Sequence, residues 1–150
     1  MKREILFRGK LPLKSTVWIE GYVVKIGKHV NIFDNLLGKG LGVIPETVGE
    51  YIQRTDKHGK KVFEGDVIRV SWTEDGDKIE EYFLIEYVDD DDYFGFVLLD
   101  LQKACQPSPN LMFDQKFFTN YCEIVSNRWD MTTDDLVKLG LIKSGVRHEK

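Results

Sequence analysis

Val62-Phe63-Glu64-Gly65-Asp66-Val67-Ile68-Arg69-Val70-Ser71-Trp72-Thr73 is the stretch from which the fold can be read. From Val67 to Thr73 the residues alternate with period two. Ile68, Val70 and Trp72 share one face and Arg69 and Ser71 the other, as in a strand with one buried side. Gly65-Asp66 ahead of it reads as a structural corner: Gly65 permits a backbone angle costly for other residues, and the Asp66 carboxylate can accept from amides of the turn. Behind it, Glu74-Asp75-Gly76-Asp77 turns the chain and Ile79 to Val88 forms a long partner strand. Asp89 to Asp92 turns it again into Tyr93 to Leu99, which is apolar on both faces and therefore expected to be central or covered. An antiparallel meander of three strands follows.

Upstream, Glu4 to Arg8 is a short β-prone run. Val17 to Ile26 is a better one, with Trp18, Tyr22, Val24 and Ile26 on one face and Gly21 marking a bulge or close packing. Gly27-Lys28 is a tight turn into a strand from His29 to Phe33, with Val30 and Ile32 on one side. The glycine-punctuated segment Asp34 to Gly42 reads as a loop, and Pro45 starts a short extended or helical-turn segment reaching Gln53. Asp56-Lys57-His58-Gly59 has the residue order of a type I turn.

Downstream, Pro107-Ser108-Pro109 forbids a continuous helix, and Leu111 to Phe118 is either a short helix or a loop pinned by Phe113, Phe117 and Phe118. Tyr121 to Trp129 alternates as a last strand. Thr132 or Thr133 caps a helix with Asp134 and Asp135 in its first turn, Leu136, Val137 and Leu139 on its inner face, and Gly140 as its stop. With no repeat or linker in sight, the expectation is one domain over residues 1–145 and a disordered tail at 146–150.

With 150 residues, 42% of them hydrophobic and 31% charged, the chain has the composition of one globular domain. A domain of this length buries roughly 70% of the surface of its unfolded chain, so it needs neither disulfide nor metal to be stable. Only four residues separate Glu4 from Arg8, inclusive of the latter, so no signal-peptide core is expected; Tyr93 to Leu99, the longest apolar stretch, is far short of the roughly 20 residues of a membrane span. Cys105 and Cys122 are too few for a disulfide framework, which fits reduced thiols in a cytoplasm. Residues 1–70 hold 13 Lys/Arg against 8 Asp/Glu, and residues 71–150 hold 8 against 17. The acidic excess sits in residues 74–92, where ten acids face Lys78 alone.

No catalytic, cofactor or metal site is expected from the motifs. Gly38, Gly40 and Gly42 surround Lys39 without the strand, helix and Gly-Lys-Ser/Thr ending of a phosphate loop. His58 lies in a turn, His29 opens a strand and His148 is in the tail. Glu46 with Glu50, or Glu64 with Asp66, could pair for acid–base work, but capping, turn formation and solvation explain them as well. Four adjacent aspartates, Asp89 to Asp92, lack the interleaved spacing of a cation loop. Only Arg54 to Lys61 is locally basic, so scattered cations and a concentrated acidic meander argue against duplex DNA.

Three central segments, Pro45-Glu46-Thr47-Val48-Gly49-Glu50-Tyr51, the Asp56-to-Lys60 turn and Val62-Phe63-Glu64-Gly65-Asp66-Val67, together resemble the core signature of the YopX family, small proteins encoded by phages and prophages of bacteria. Arg3 to Gly9, Trp18 to Tyr22 and Glu123 to Asn127 are similar too. The resemblance implies a β-rich, barrel-like fold and a phage or prophage gene, and it brings no catalytic residues. Members commonly show Asn where this chain has His58, and residues 101–120 depart from the shorter family pattern. The Glu-Gly-Asp corner also looks like the entry to the first long strand of SH3-like barrels. The expected architecture is thus α+β, mostly β: a barrel-like antiparallel sheet with a short C-terminal helix. The expected function is a non-enzymatic accessory protein of the bacterial cytoplasm that binds a host or phage macromolecule, a protein in preference to a nucleic acid, with no membrane partner and with self-association left open. The alternative is a small enzyme or nucleic-acid-associated factor with a site at Glu46, Thr47, Glu64 and Asp66.

Overall fold

The chain changes sheets at Gly65. The computed structural model describes residues 3–13, 16–34, 38–89, 91, 94–102, 106–107 and 114–138. Before the glycine come β1 (Phe7–Lys10), β2 (Trp18–Ile26), β3 (His29–Asp34), β4 (Lys39–Gly42), a 3₁₀ turn (Pro45–Thr47), β5 (Gly49–Thr55) and β6 (Lys61–Phe63). These strands form one sheet in the order β4-β3-β2-β1-β5-β6. After it come β7 (Asp66–Glu74), β8 (Asp77–Asp89), β9 (Phe94–Asp100), β10 (Gln106–Pro107), the helix α1 (Gln115–Tyr121), β11 (Cys122–Asn127) and the helix α2 (Thr133–Lys138). The second sheet runs β10-β9-β8-β7-β11. The protein is therefore mostly β, with two antiparallel sheets and two short helices, and no closed barrel is found among the described residues. No helix among those residues is long and apolar enough to cross a membrane.

The meander forms as its alternation requires. β7 pairs with β8 from Val67↔Leu84 to Glu74↔Asp77, and the two-residue turn puts Asp75 (φ 51°) and Gly76 (φ 86°) in the left-handed region that such hairpins demand. Ile68 and Val70 join Phe83, Ile85 and Leu98 in a core completed by Ile52 and Val62 of the first sheet and by Phe118 and Cys122, with Trp72 packed against it. Each large side chain buried here contributes roughly 1.5–3 kcal/mol. β9 meets the expectation only along its second half, where Leu98 is buried in the core and β10 pairs with Leu99 and Asp100; at its start the strand has no neighbour beyond β8 among the described residues, and Phe94 is exposed against Tyr87.

Two other expectations are corrected. The first strand lies at Phe7–Lys10 rather than Glu4 to Arg8, because pairing with Trp18–Gly21 on one side and Gly49–Glu50 on the other sets its span. The segment Asp34 to Gly42 is not all loop: after a turn at Gly38, Lys39–Gly42 pairs with β3. Gly40 leaves room for the ring of its cross-strand partner Phe33, which a Cβ there would approach to 2.9 Å. β2 alternates as read: Ile19 and Val23 pack with Ile32 and Val43, while on the other face Tyr22, Val24 and Ile26 are exposed and Trp18 is half-buried against Arg8. Gly21 marks the close packing expected of it, since a Cβ at that position would lie 1.8 Å from the Phe33 carbonyl oxygen.

Both helices are capped from their own sequence. The Asp114 carboxylate accepts from the Phe117 amide (2.7 Å) and opens α1 at Gln115, later than the expected Leu111 start. In α2, the Thr132 hydroxyl accepts from the Asp135 amide while the Asp135 carboxylate accepts from the Thr132 amide, a reciprocal cap. Leu136 and Val137 are half-buried. Cys105, Asp90, Asp92, Leu139, Gly140, His148 and the 146–150 tail lie outside the described residues.

Gly65 has φ +94°, and a Cβ built on it would meet nothing nearer than 3.7 Å. Gly65→Val should therefore lose roughly 1–3 kcal/mol through backbone strain alone, read as a lower urea midpoint at unchanged slope. Gly21→Ala should lose more in the same titration, because the clash is with backbone that cannot swing aside.

Candidate functional site

The corner at Gly65 delivers Asp66, the first residue of β7, to a position against β1. Its carboxylate is 1% exposed; Oδ1 accepts from Arg8 Nη2 at 2.7 Å and Oδ2 from the Phe63 amide at 2.8 Å. The Arg8 guanidinium lies 4.7 Å from the Trp18 ring centroid and 4.9 Å from that of Phe63. Its Nε is buried without a hydrogen-bond partner among the described residues. Burial pushes the Asp66 carboxyl above its ordinary range, against the opposing pull of Arg8 and the Phe63 amide. A depression of about 530 Å³ opens beside the pair, with Glu20, Lys60, Lys61 and Asn127 on its walls.

The two segments that the sequence singled out do meet, but through their backbones. The Glu64 amide donates to the Glu50 carbonyl at 2.9 Å, and Gly49 packs so closely that a Cβ on it would lie 2.5 Å from the Glu64 carbonyl oxygen. The four candidate side chains go different ways. Thr47 is buried, its hydroxyl accepting from the Lys10 amide (2.9 Å) and donating to the Ile44 carbonyl (2.6 Å). Glu46, on the same 3₁₀ turn, is exposed. Glu64 lines a smaller depression with Phe7, Val48, Glu50 and Tyr87, separate from the one beside Asp66. Burial raises its carboxyl, and the neighbouring charges of Glu86 and Glu50 add to that effect, while its backbone hydrogen bond and Arg128 oppose it.

The other titratable groups singled out in the sequence serve packing. Asp56 is buried and holds its turn closed, with Oδ1 accepting from the His58 and Lys60 amides at 2.9 and 3.0 Å; Oδ2 accepts from the Ile124 amide at 3.0 Å and so ties the turn to β11. His58 itself is exposed, 3.3 Å from Glu123. Glu123 is held below the usual carboxylate range, chiefly by its hydrogen bond from Arg69. Burial pushes the Cys122 thiol up to about 12, which disfavours the thiolate needed for nucleophilic attack. No group of three or more His, Cys, Asp or Glu that could hold a metal ion occurs among the described residues.

Sequence reasoning missed a surface rather than a residue. On the outer face of β2 and β3, Tyr22 (58% exposed), Val24 (37%), Ile26 (67%) and Phe33 (41%) stand in solvent, with Tyr22 directly opposite Phe33. Beyond Phe33, the facing position of β4 is Gly40, so the surface is flat on that side. The signal was present in the sequence: β2 carries apolar side chains on both faces, and only one can face the core.

No family model matches the chain, and no curated protein matches it.

Asp66→Asn should lower stability by roughly 3–5 kcal/mol in a urea titration, because it leaves the Arg8 charge unpaired among the rings of Trp18 and Phe63. Glu64 predicts a pH dependence. Its carboxyl is raised from an ordinary 4.5 in the folded chain, so wild type is penalised as pH rises through the folded value. Glu64→Gln should match wild type below about pH 4 and exceed it in melting temperature near pH 7.

Proposed function

We propose that this chain is a non-enzymatic module that binds another protein. In the setting that the YopX resemblance implies, it is a phage or prophage accessory protein acting in the cytoplasm of a bacterial host. The same reading takes the Glu64-Gly65-Asp66 corner as an SH3-like element and the two sheets as parts of a barrel-like wrap. The outer face of β2 and β3 carries the proposal: Tyr22, Val24, Ile26 and Phe33 form an apolar surface on a strand pair that is already buried on its other side. Apolar patches of this kind, framed by a rigid sheet, mark protein-binding surfaces more often than chance exposure. A partner covering them would gain about 25 cal/mol for each Å² of apolar surface removed from water.

The same face supports a protein partner over a nucleic acid. Its remaining β2 and β3 side chains include Glu20, His29 and Asn31, whereas Lys25 stands on the opposite face with Val30. Base-stacking platforms combine aromatic rings with cations free to meet a phosphate backbone, and here the cations that β1 places on this face, Arg8 and Lys10, are taken up by Asp66 and Asp130. The commitment of Thr47 and Asp66 to structural hydrogen bonds further favours binding over acid–base chemistry at those residues.

The test is capture of a partner from a bacterial host lysate by wild type and by the double variant Tyr22→Glu, Ile26→Glu. Both positions are exposed, so the variant should melt within about 0.5 kcal/mol per site of wild type. Its partner band should disappear. Equal capture by the two proteins would remove this face from the reading.

A further inference from the structure

β7 outruns one of its neighbours. On the β8 side it is paired along almost its whole length, from Val67↔Leu84 to Glu74↔Asp77. On the other side, pairing with β11 reaches only Cys122↔Val70, because the chain immediately before Cys122 is the helix α1. From Ser71 to Glu74 the strand therefore has no partner on that side among the described residues. An open edge of this kind offers backbone N–H and C=O groups to any strand that can lie about 4.8 Å away. The space is present. Between the edge and α1 lies a trough of about 620 Å³, walled by Val70, Trp72, Phe117 and Tyr121, with Thr73 and Asn120 at its polar margins.

We propose that the Ser71–Glu74 edge of β7 takes up an extended segment of a partner protein as an added strand, with an apolar or aromatic side chain in the trough and Lys or Arg beside it. The inference rests on the protein-binding reading above only in taking a protein as the partner, and it concerns a different surface. Three features select this occupant. The edge supplies main-chain hydrogen bonds, which an extended peptide can satisfy irrespective of its sequence. The trough is lined by aromatic rings and a valine, which select an apolar anchor. The adjoining hairpin selects the charge: from Glu74 to Glu81 it carries five acids against Lys78. Of these, Glu80 is within reach of Lys78 and Arg69, whereas Glu74, Asp75, Asp77 and Glu81 form no ion pair among the described residues. Their field attracts a basic segment and repels a phosphate backbone or an acidic peptide.

The test uses the full chain, ¹⁵N-labelled, and the synthetic peptide Lys-Thr-Val-Phe-Val-Thr-Lys. Binding should be saturable, shift the amide signals of Ser71 to Glu74, and slow by about tenfold or more the hydrogen exchange of the Ser71 and Thr73 amides, which point away from β8. Two peptides N-methylated at alternate residues separate strand addition from simple apolar contact: the set that blocks the edge-facing amides should abolish binding, and the other set should retain it. Replacing both peptide lysines by glutamate should abolish binding. The double variant Glu74→Lys, Asp77→Lys, altered at two exposed positions, should fold normally and weaken binding by about tenfold.

Any of four results would overturn the inference: no saturable binding, equal binding of both methylated peptides, shifts confined to Tyr22 and Phe33, or Ser71 and Thr73 amides already protected in the free chain. The last would mean that the edge is filled within the molecule or by a second copy. None of the four touches capture through the Tyr22 face, so failure here and failure of the protein-binding reading remain distinguishable.

Discussion

The Arg8–Asp66 ion pair joins the two sheets, and the arrangement of the remaining strands depends on it. Arg8 belongs to β1 of the first sheet and Asp66 to β7 of the second; the same carboxylate also holds the Phe63 amide at the end of β6. Three strands thus converge on one buried carboxyl group. A buried pair of this type adds little net stability over a well-packed apolar replacement, yet isolating either member is expensive. Its contribution is to selection. Packings that separate β1 from β7 leave a charge in the interior, whereas the native one satisfies it between two aromatic rings.

Around that clasp, short-range devices fix the chain's direction. Gly65 turns the backbone between the sheets, its amide donating to the Ile85 carbonyl and its own carbonyl accepting from the Arg128 amide. Asp56 pins the β5–β6 turn to β11. At the far end of the clasp, Asp130 accepts from Lys10, from Trp18 Nε1 and from Asn127. Those hydrogen bonds hold its carboxyl below the ordinary range even though partial burial acts the other way. Three aspartates, each in a different turn or corner, therefore do the joining that a disulfide or metal does in smaller domains.

The sheet change at Gly65 also converts a sequence asymmetry into a spatial one. Residues 1–70, which hold the first sheet, have a net charge of +5, and residues 71–150, which hold nearly all of the second, have −9. The two proposed docking surfaces fall on opposite sides of that division. The β2–β3 face is apolar and flat, suited to broad contact; the β7 edge is narrow, main-chain-rich and acidic, suited to an extended basic segment.

The local decisions were legible in the sequence because their causes are local. The period-two run from Val67 to Thr73, the Asp75-Gly76 hairpin, the positive backbone angle at Gly65 and the Thr132 cap each depend on residues within a few positions of one another. What required the tertiary structure was everything decided by a distant neighbour. Alternation in β2 gives two faces but not which one is inside; that was settled by Ile32 and Val43, against which Ile19 and Val23 pack. β4 has almost no side-chain pattern of its own and is a strand because β3 is beside it. Glu46, Thr47, Glu64 and Asp66 lie in neighbouring segments, yet their side chains diverge, and Asp66 belongs to Arg8, 58 residues away. A sequence records which groups are available; which of them meet depends on the route of the backbone between them.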